Sequence, residues 1–244
     1  MKTFIIGDIH GGNKALEQVL ERSGFNREED TLISLGDIAD GWSETSECVD
    51  TLLTIKNLIA IRGNHDVWCY DWFKSGLQPL IWTQQGGQAT LDSYIKTGKV
   101  VDQTHKDFWN NQIDWYIDSQ QRLFIHGGFP YTLPGDFKKQ ASYRVNGGSI
   151  ARECHWDREL YTGFRKHHPE HLPKLLKEKT ERFTKIFIGH TAIPFPYLPF
   201  NSDKLWNLDT GAGWNGKLTI MNVDTEEYWQ SDLVKELYPN ERGR

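Results

Sequence analysis

The residues equipped for chemistry in this 244-residue chain stand in five short, glycine-flanked groups. They are Gly7-Asp8-Ile9-His10-Gly11, Gly36-Asp37-Ile38-Ala39-Asp40, Arg62-Gly63-Asn64-His65-Asp66, His126-Gly127-Gly128 and Gly189-His190. Carboxylate, imidazole and one carboxamide, with no thiolate among them, argue against a structural zinc site and suit manganese, iron or zinc in a hydrolytic one. Such a dinuclear centre needs two cations about 3.5–4 Å apart, a shared anion, and open positions for a phosphate and a hydroxide. Asp8 and His10 are two residues apart, so in extended backbone both side chains leave on the same side. Asp37 is placed to bridge two cations, and Asn64, His126 and His190 add further donors. The glycines let the backbone turn sharply where these side chains crowd. One such group alone reads as a tight turn with a hydrogen-bonded histidine. Five in succession make a constellation.

Each group ends a short apolar run: Phe4-Ile5-Ile6, Leu32 to Leu35, Leu58 to Ile61, Leu123 to Ile125, and Ile186 to Ile188. These runs are β-branched or aromatic and are bounded by turn formers, which predicts five buried strands. Asn13 is placed to cap a helix through Arg22, with Ala15, Leu16, Val19 and Leu20 on one face. A second helix starts at Ser43 or Ser46, with Val49, Leu52 and Leu53 inside. Strand alternating with helix predicts an α/β fold with parallel pairing, in which ligands bind beyond the carboxyl ends of the strands. The polar groups occupy those ends. Residues 204–208, 217–223 and 227–230 read as short strands that extend the sheet or pair with a second one, with turns at Gly211-Ala212-Gly213 and Asn215-Gly216. Two inserts, about 67–121 and 129–182, carry helical and irregular patterns and are expected to cap the site. Residues 1–244 are expected to form one domain.

The formal net charge is −5 and the pI about 6.0, without the basic footprint of a nucleic-acid binder. No apolar run approaches the length of a membrane span. Neither a nucleic-acid polymer nor a membrane is therefore expected as partner. Cys48, Cys69 and Cys154 are odd in number and far apart, which fits a reducing compartment. The opening residues hold three apolar side chains before Asp8, too few for a signal-peptide core, so a cytoplasmic protein is expected. Ten tryptophans suggest heavy core and cap packing or, more sharply, aromatic walls to a substrate cleft.

Taken together, the five groups resemble the calcineurin-like metallophosphoesterases. The nearest branch is that of the phosphoprotein phosphatases, with its bacterial and phage serine/threonine phosphatases and the related diadenosine tetraphosphatases. The resemblance spans residues 7 to 191, and the inserts carry little of it. It implies a metallophosphoesterase-type β-sandwich flanked by helices. It implies Asp8, His10 and Asp37 on one divalent metal, and Asp37, Asn64, His126 and His190 on a second, with Asp37 bridging. His65 would be the general acid, oriented by Asp40. Manganese is the expected metal, with iron and zinc as alternatives. Arg62, where the family also has arginine, and Arg158, in a Trp156-Asp157-Arg158 segment similar to the Trp-x-Arg of bacterial phosphatases, are expected to grip phosphate through planar bidentate donors. The implied chemistry is in-line attack on phosphorus by a metal-bridging hydroxide, with His65 protonating the leaving alkoxide. The expected substrates are phosphate monoesters: phosphoserine, phosphothreonine or small phosphate esters.

The chain departs from that pattern at Gly41, where the family reads Asp-Arg-Gly. One phosphate-gripping arginine is missing, which implies weaker affinity, a different substrate, or replacement by Arg144, Arg152 or Arg158. Asp66 stands where many protein phosphatases have glutamate and is also familiar in tetraphosphatases. Ala192 replaces a second histidine found in other metallophosphoesterases. Asp209-Thr210-Gly211-Ala212 either supports a ligand histidine from behind or forms a plain turn. The His167-His168-Pro169-Glu170-His171 run looks metal-like but reads better as an exposed helix start. Two other functions stay open: a dinucleoside-polyphosphate hydrolase, motivated by Asp66 and the Asp209 segment, and a non-catalytic metal- or phosphate-binding module, motivated by Gly41.

Overall fold

A computed structural model of the chain describes residues 1–129, 142–143 and 149–244. In chain order the elements are β1 (Thr3–Ile6), α1 (Asn13–Arg22), β2 (Thr31–Ser34), α2 (Thr45–Leu53), β3 (Asn57–Ala60), α3 (Asn64–Ser75), α4 (Leu80–Trp82), α5 (Gln88–Thr97) and α6 (Gln103–Asn111). They continue with β4 (Trp115–Ile117), β5 (Arg122–Ile125), β6 (Ser142–Tyr143), α7 (Ser149–Trp156), α8 (Glu159–Lys166) and α9 (Lys174–Thr180). The last are β7 (Lys185–Ile188), β8 (Phe200–Ser202), β9 (Leu205–Asn207), β10 (Thr219–Asn222), β11 (Tyr228–Gln230) and α10 (Val234–Leu237).

The strands form two sheets, one in the order β11-β10-β1-β2-β3 and the other β6-β4-β5-β7-β9-β8. The three strands nearest the amino end pair in parallel, as do β5, β7 and β9; the other pairings are antiparallel. Period-two alternation explains why these runs are apolar on both faces. Ile5, Ile33, Phe124, Phe187, Trp206 and Met221 meet between the sheets, where Phe124 and Phe187 stack at 5.0 Å. Their neighbours Phe4, Ile6 and Leu32 turn outward onto Ala15, Leu16 and Val19 of α1. Leu123, Ile125, Ile186 and Ile188 turn outward onto Leu160, Phe164 and Leu176 of α8 and α9. The result is the expected β-sandwich flanked by helices.

Several local expectations change. Asn13 is the first residue inside α1 rather than its cap; Gly12 precedes it, and the Asn13 carboxamide accepts from Thr51 Oγ1 at 2.8 Å, tying α1 to α2. Neither Ser43 nor Ser46 caps α2: Glu44 precedes the helix, and Ser46 instead pairs with Ser93 of α5. Leu53, about 100° round the helix from buried Leu52, is exposed. Residues 204–208 join the second sheet, whereas 217–223 and 227–230 extend the first. β8 had no signal among the predicted strands.

The first insert is not a detached cap. Trp72, Trp82, Tyr94, Phe108 and Trp109 are buried in the same core as Phe4 and Leu16, so its helices complete the layer over the first sheet. Six of the ten tryptophans are buried, Trp42, Trp72, Trp82 and Trp109 in this core and Trp115 and Trp206 in the two others. Trp68 and Trp229 are partly buried, and Trp156 and Trp214 are exposed.

Candidate metal centre

The five glycine-flanked groups leave the carboxyl ends of β1, β2, β3, β5 and β7 and converge. Two buried clusters share one residue: Asp8, His10 and Asp37 form the first, and Asp37, His126 and His190 the second, with ligand atoms in each lying within 4.8 Å of one another. Asp37 Oδ2 stands 3.7 Å from His10 Nε2 and 3.4 Å from His126 Nε2. The carboxamide oxygen of Asn64 is 3.2 Å from His126 Nε2. All four of His10, Asp37, Asp40 and His190 hold positive φ, between 49° and 72°. That conformation is costly for non-glycine residues and persists where surrounding structure over-determines it. Two glycines are required by contact rather than by φ. A Cβ on Gly63 would fall 2.1 Å from Asp37 Oδ1, and one on Gly189 would fall 2.1 Å from Asp8 Oδ1.

Two of the three imidazoles are aimed by their other nitrogen. His10 Nδ1 is 3.1 Å from the Ala39 carbonyl, and His126 Nδ1 is 2.8 Å from the Leu35 carbonyl. With those nitrogens donating, Nε2 is the atom that faces Asp37 in both: His10 offers it as a lone pair, and His126 does so once the proton that Asp37 favours there has left. Burial lowers His10 to about 3 and His190 to about 2, so both rings are neutral near pH 7. Burial opposes ionisation of Asp37, yet His126, His65 and His10 together hold its carboxyl well below the ordinary range. The backbone N–H of His65, in the first turn of α3, adds a hydrogen bond to Asp37 Oδ1 at 2.9 Å. Burial, reinforced by Asp209 and Asp37, pushes Asp8 up. Buried carboxylates this close repel one another unless cations neutralise them.

Asp37 Oδ2 fits a cation on a second count, and two neighbouring donors fit a bound oxygen. Asp37 Oδ2, Asn64 Nδ2 and His65 Nε2 are buried without a well-directed hydrogen bond. Buried polar atoms are nearly always paired, and three exceptions in one place mark a site built for a bound group.

His65 is set beside this pair of clusters. Its Nδ1 is 2.6 Å from Asp40 Oδ2, and both residues are fully buried. Asp40 is itself clamped: Trp82 Nε1 donates to both its oxygens at 2.9 and 3.0 Å, and Thr90 Oγ1 donates to Oδ1 at 2.8 Å. Sequence reasoning missed Trp82 and Thr90, which arrive from the first insert with no local motif. It also missed the task of Asp66. That carboxylate accepts from the backbone N–H of Ile38, Ala39 and Gly63 and from Gln112 Nε2, at 2.8 to 3.1 Å, locking the Asp37 turn to the start of α3.

The expected arginines fare differently. Arg158 Nη1 donates to His190 Nε2 at 2.9 Å, so its guanidinium is at the centre. Arg62 is buried against the first insert, where Nη2 donates to the carbonyls of Trp109 (3.0 Å) and Gln112 (3.4 Å) and the guanidinium stacks over Tyr70. Backbone acceptors and an aromatic face thus engage Nη2 and one side of the guanidinium. Arg152 is exposed on α7, and Arg144 lies outside the described residues. Asp209 is buried, accepts from Gly211 N–H at 3.1 Å, and is raised to about 6 by burial. His167, His168 and His171 are exposed.

A profile described as calcineurin-like phosphoesterase matches residues 1–214. The chain belongs to the calcineurin-like phosphoesterase family. As a member of that family of dinuclear metal-dependent enzymes it is a metallophosphoesterase-type hydrolase, and its two buried clusters are candidate metal-ligand groups. It is 25% identical to a symmetrical bis(5'-nucleosyl)-tetraphosphatase of Pseudomonas fluorescens, over 93% of each chain. It is also 25% identical to one of Neisseria gonorrhoeae, over 94% of this chain and 95% of the relative. Among solved structures it resembles a serine/threonine phosphatase from Saccharomyces cerevisiae, with a TM-score of 0.65 and 18% identity over 95% of this chain and 80% of that one. A metallophosphoesterase from Sphaerobacter thermophilus aligns with a TM-score of 0.56 and 17% identity over 98% and 95% of the two chains. These structural likenesses concern the fold of the calcineurin-like phosphoesterases. Among the described residues no helix is long and apolar enough to cross a membrane.

Proposed function

We propose that the protein hydrolyses phosphate monoesters, with Asp8, His10, Asp37, Asn64, His126 and His190 as metal ligands and His65 with Asp40 as the acid pair. The observation that carries this reading is the pair of buried ligand clusters sharing Asp37, with His65 Nε2 left unpartnered beside them. Two divalent cations held there, manganese first among the choices, supply Lewis-acid neutralisation of phosphoryl oxygens and an acidified water. Asp37 stays ionised between His10 and His126 and so binds as a shared anion. His65, donating Nδ1–H to Asp40, keeps Nε2 as the proton donor for the leaving oxygen. Asp40 balances the imidazolium charge, and Trp82 and Thr90 hold Asp40 still. Arg158 provides a guanidinium at the His190 side for the non-bridging oxygens. Residues 1–244 act as one unit, with inserts 67–121 and 129–182 shaping access, in a cytoplasmic setting, on a phosphorylated peptide or small molecule. Turnover of p-nitrophenyl phosphate by the manganese-loaded protein, abolished by a chelator and by Asp37→Asn, is the expected result; no cleavage of any phosphate ester would sink the reading.

A second reading has its own support. Trp68 packs edge-on against His65 at 5.1 Å and against Trp156 at 5.3 Å, and Trp156 in turn packs edge-on against His190 at 6.3 Å. The two indoles bridge the acid residue and the far ligand, and Trp156 is exposed, so the site has an aromatic wall on which a nucleobase can stack. Together with the full-length tetraphosphatase relatives, this favours a dinucleoside-polyphosphate hydrolase. Product analysis with diadenosine tetraphosphate beside a phosphopeptide separates the two readings.

A further inference from the structure

Segment 239–244 folds back over the turn that carries Gly41. Glu241 accepts from Ser43 twice, through the backbone N–H at 2.9 Å and Oγ at 2.7 Å, and its carbonyl accepts from Lys235 Nζ. Gly243, at φ 73°, lies against the Trp42 ring and the Gly213 carbonyl, where a Cβ would fall 2.8 Å from each. The next residue, Arg244, donates its backbone N–H to that same Gly213 carbonyl at 2.8 Å.

Two glycines bring Arg244 to the edge of the metal centre. Gly213 lies on His10, so closely that a Cβ would meet the ring at 2.5 Å. Gly41 lies between His10 and Arg244: a Cβ there would be 3.2 Å from the His10 carbonyl and 3.5 Å from the Arg244 nitrogen. The guanidinium sits over the exposed Trp214 ring at 5.6 Å. Among the described residues it forms no salt bridge, although its charge opposes the rise that burial gives Asp8 and Asp209 and adds to the fall at His10. A half-buried arginine with no carboxylate partner, its backbone anchored beside the candidate ligand His10, is arranged to meet an anion.

We propose that Arg244 is a phosphate-binding residue of this site, delivered by the folded-back segment 239–244 and gripping a phosphate oxygen of the substrate on the Asp8–His10 side, opposite Arg158. It fills the place left by the missing arginine at Gly41, which is not one of the three replacements the sequence suggested. The segment's backbone and Glu241 hold its position, and Trp214 supports the planar fork from one face. Substrate specificity follows: with one arginine at each end of the centre, an ester bearing more than one phosphate engages both.

The inference rests on the phosphohydrolase reading, and its test separates the two. Manganese-loaded wild type, Arg244→Ala, Arg244→Lys and Arg242→Ala are titrated with inorganic phosphate by calorimetry and assayed on p-nitrophenyl phosphate. A charge-assisted bidentate contact is worth about one to two orders of magnitude. Arg244→Ala should therefore weaken phosphate binding and raise KM by roughly 10- to 100-fold while kcat changes by less than about fivefold. Arg244→Lys should recover part of the loss, and Arg242→Ala, a charge removed from the same segment, should leave both values alone. Unchanged phosphate affinity and KM in Arg244→Ala would overturn the inference, as would a fall confined to kcat and thermal midpoint. If wild type cleaves no ester yet binds phosphate in an Arg244-dependent way, the hydrolase reading falls and the grip stands.

Discussion

Replacing Asp40 by asparagine isolates the acid half of the site. The Asp40 carboxylate receives His65 on Oδ2, Thr90 on Oδ1 and Trp82 on both oxygens. Because the indole reaches both oxygens, no orientation of an asparagine amide keeps its NH2 from facing a donor. The substitution removes the counter-charge of His65 and disturbs its aim, while Asp37 and the metal-ligand clusters are untouched. General acid catalysis typically contributes about 10²–10⁴ in rate, roughly 3–5 kcal/mol of barrier. The loss must depend on the leaving group. An alkyl phosphate, whose alkoxide needs a proton, should lose about 10²–10⁴-fold in kcat; p-nitrophenyl phosphate, whose anion departs without one, should lose roughly tenfold or less. Trp82→Phe removes one charge-assisted hydrogen bond, worth about 1.5–3 kcal/mol, and should give a milder loss with the same leaving-group pattern. Steady-state kinetics on both substrates, with bound manganese measured in each variant, reads this out. Equal losses on the two substrates, at full metal occupancy, would refute the assignment of His65 and Asp40.

Other outcomes follow from the packing and the titration behaviour. Phe187→Ala opens a hole against the Phe124 ring between the sheets and should cost about 3–5 kcal/mol, lowering the thermal midpoint by roughly 6–20 °C. Metal binding must displace protons from Asp8, raised by burial, and from His126, which Asp37 holds above its ordinary range against burial. Protons compete with the cation, so affinity should rise with pH and fall as pH drops through those values; calorimetry in two buffers of different ionisation enthalpy should show net proton release. Cys48, Cys69 and Cys154 are fully buried, and burial raises all three thiols, so a thiol reagent should react with them only after denaturation.

The sequence revealed most where a signal was local. Strand ends were legible because an apolar run stops at glycine, and the metal-ligand groups sit on those ends, so the sheets carry them together. The alternation Phe4, Ile5, Ile6 shows both faces buried but not that each faces a different layer, which needs the second sheet. What escaped was non-local. Asp40 finds its clamps 42 and 50 residues further along, in an insert whose aromatics look like ordinary core. Arg62 is expected to grip phosphate because the family also has arginine there; its hydrogen bonds to the carbonyls of Trp109 and Gln112 leave no mark in a sequence. Gly41 registered only as a loss; its contact with Arg244, more than two hundred residues on, depends on how segment 239–244 packs. Leu53 fits the helical period but ends its helix beyond the core.

The central claim is that Asp37 joins two cations into one hydrolytic centre. It is tested most directly by counting bound manganese per chain by elemental analysis, in wild type and Asp37→Asn, and measuring phosphate-ester hydrolysis on the same samples. Two ions per chain in the wild type, fewer in the variant, and hydrolysis lost with them is the predicted result. Two ions retained with hydrolysis unchanged in Asp37→Asn, or a wild type that binds none, would contradict the account.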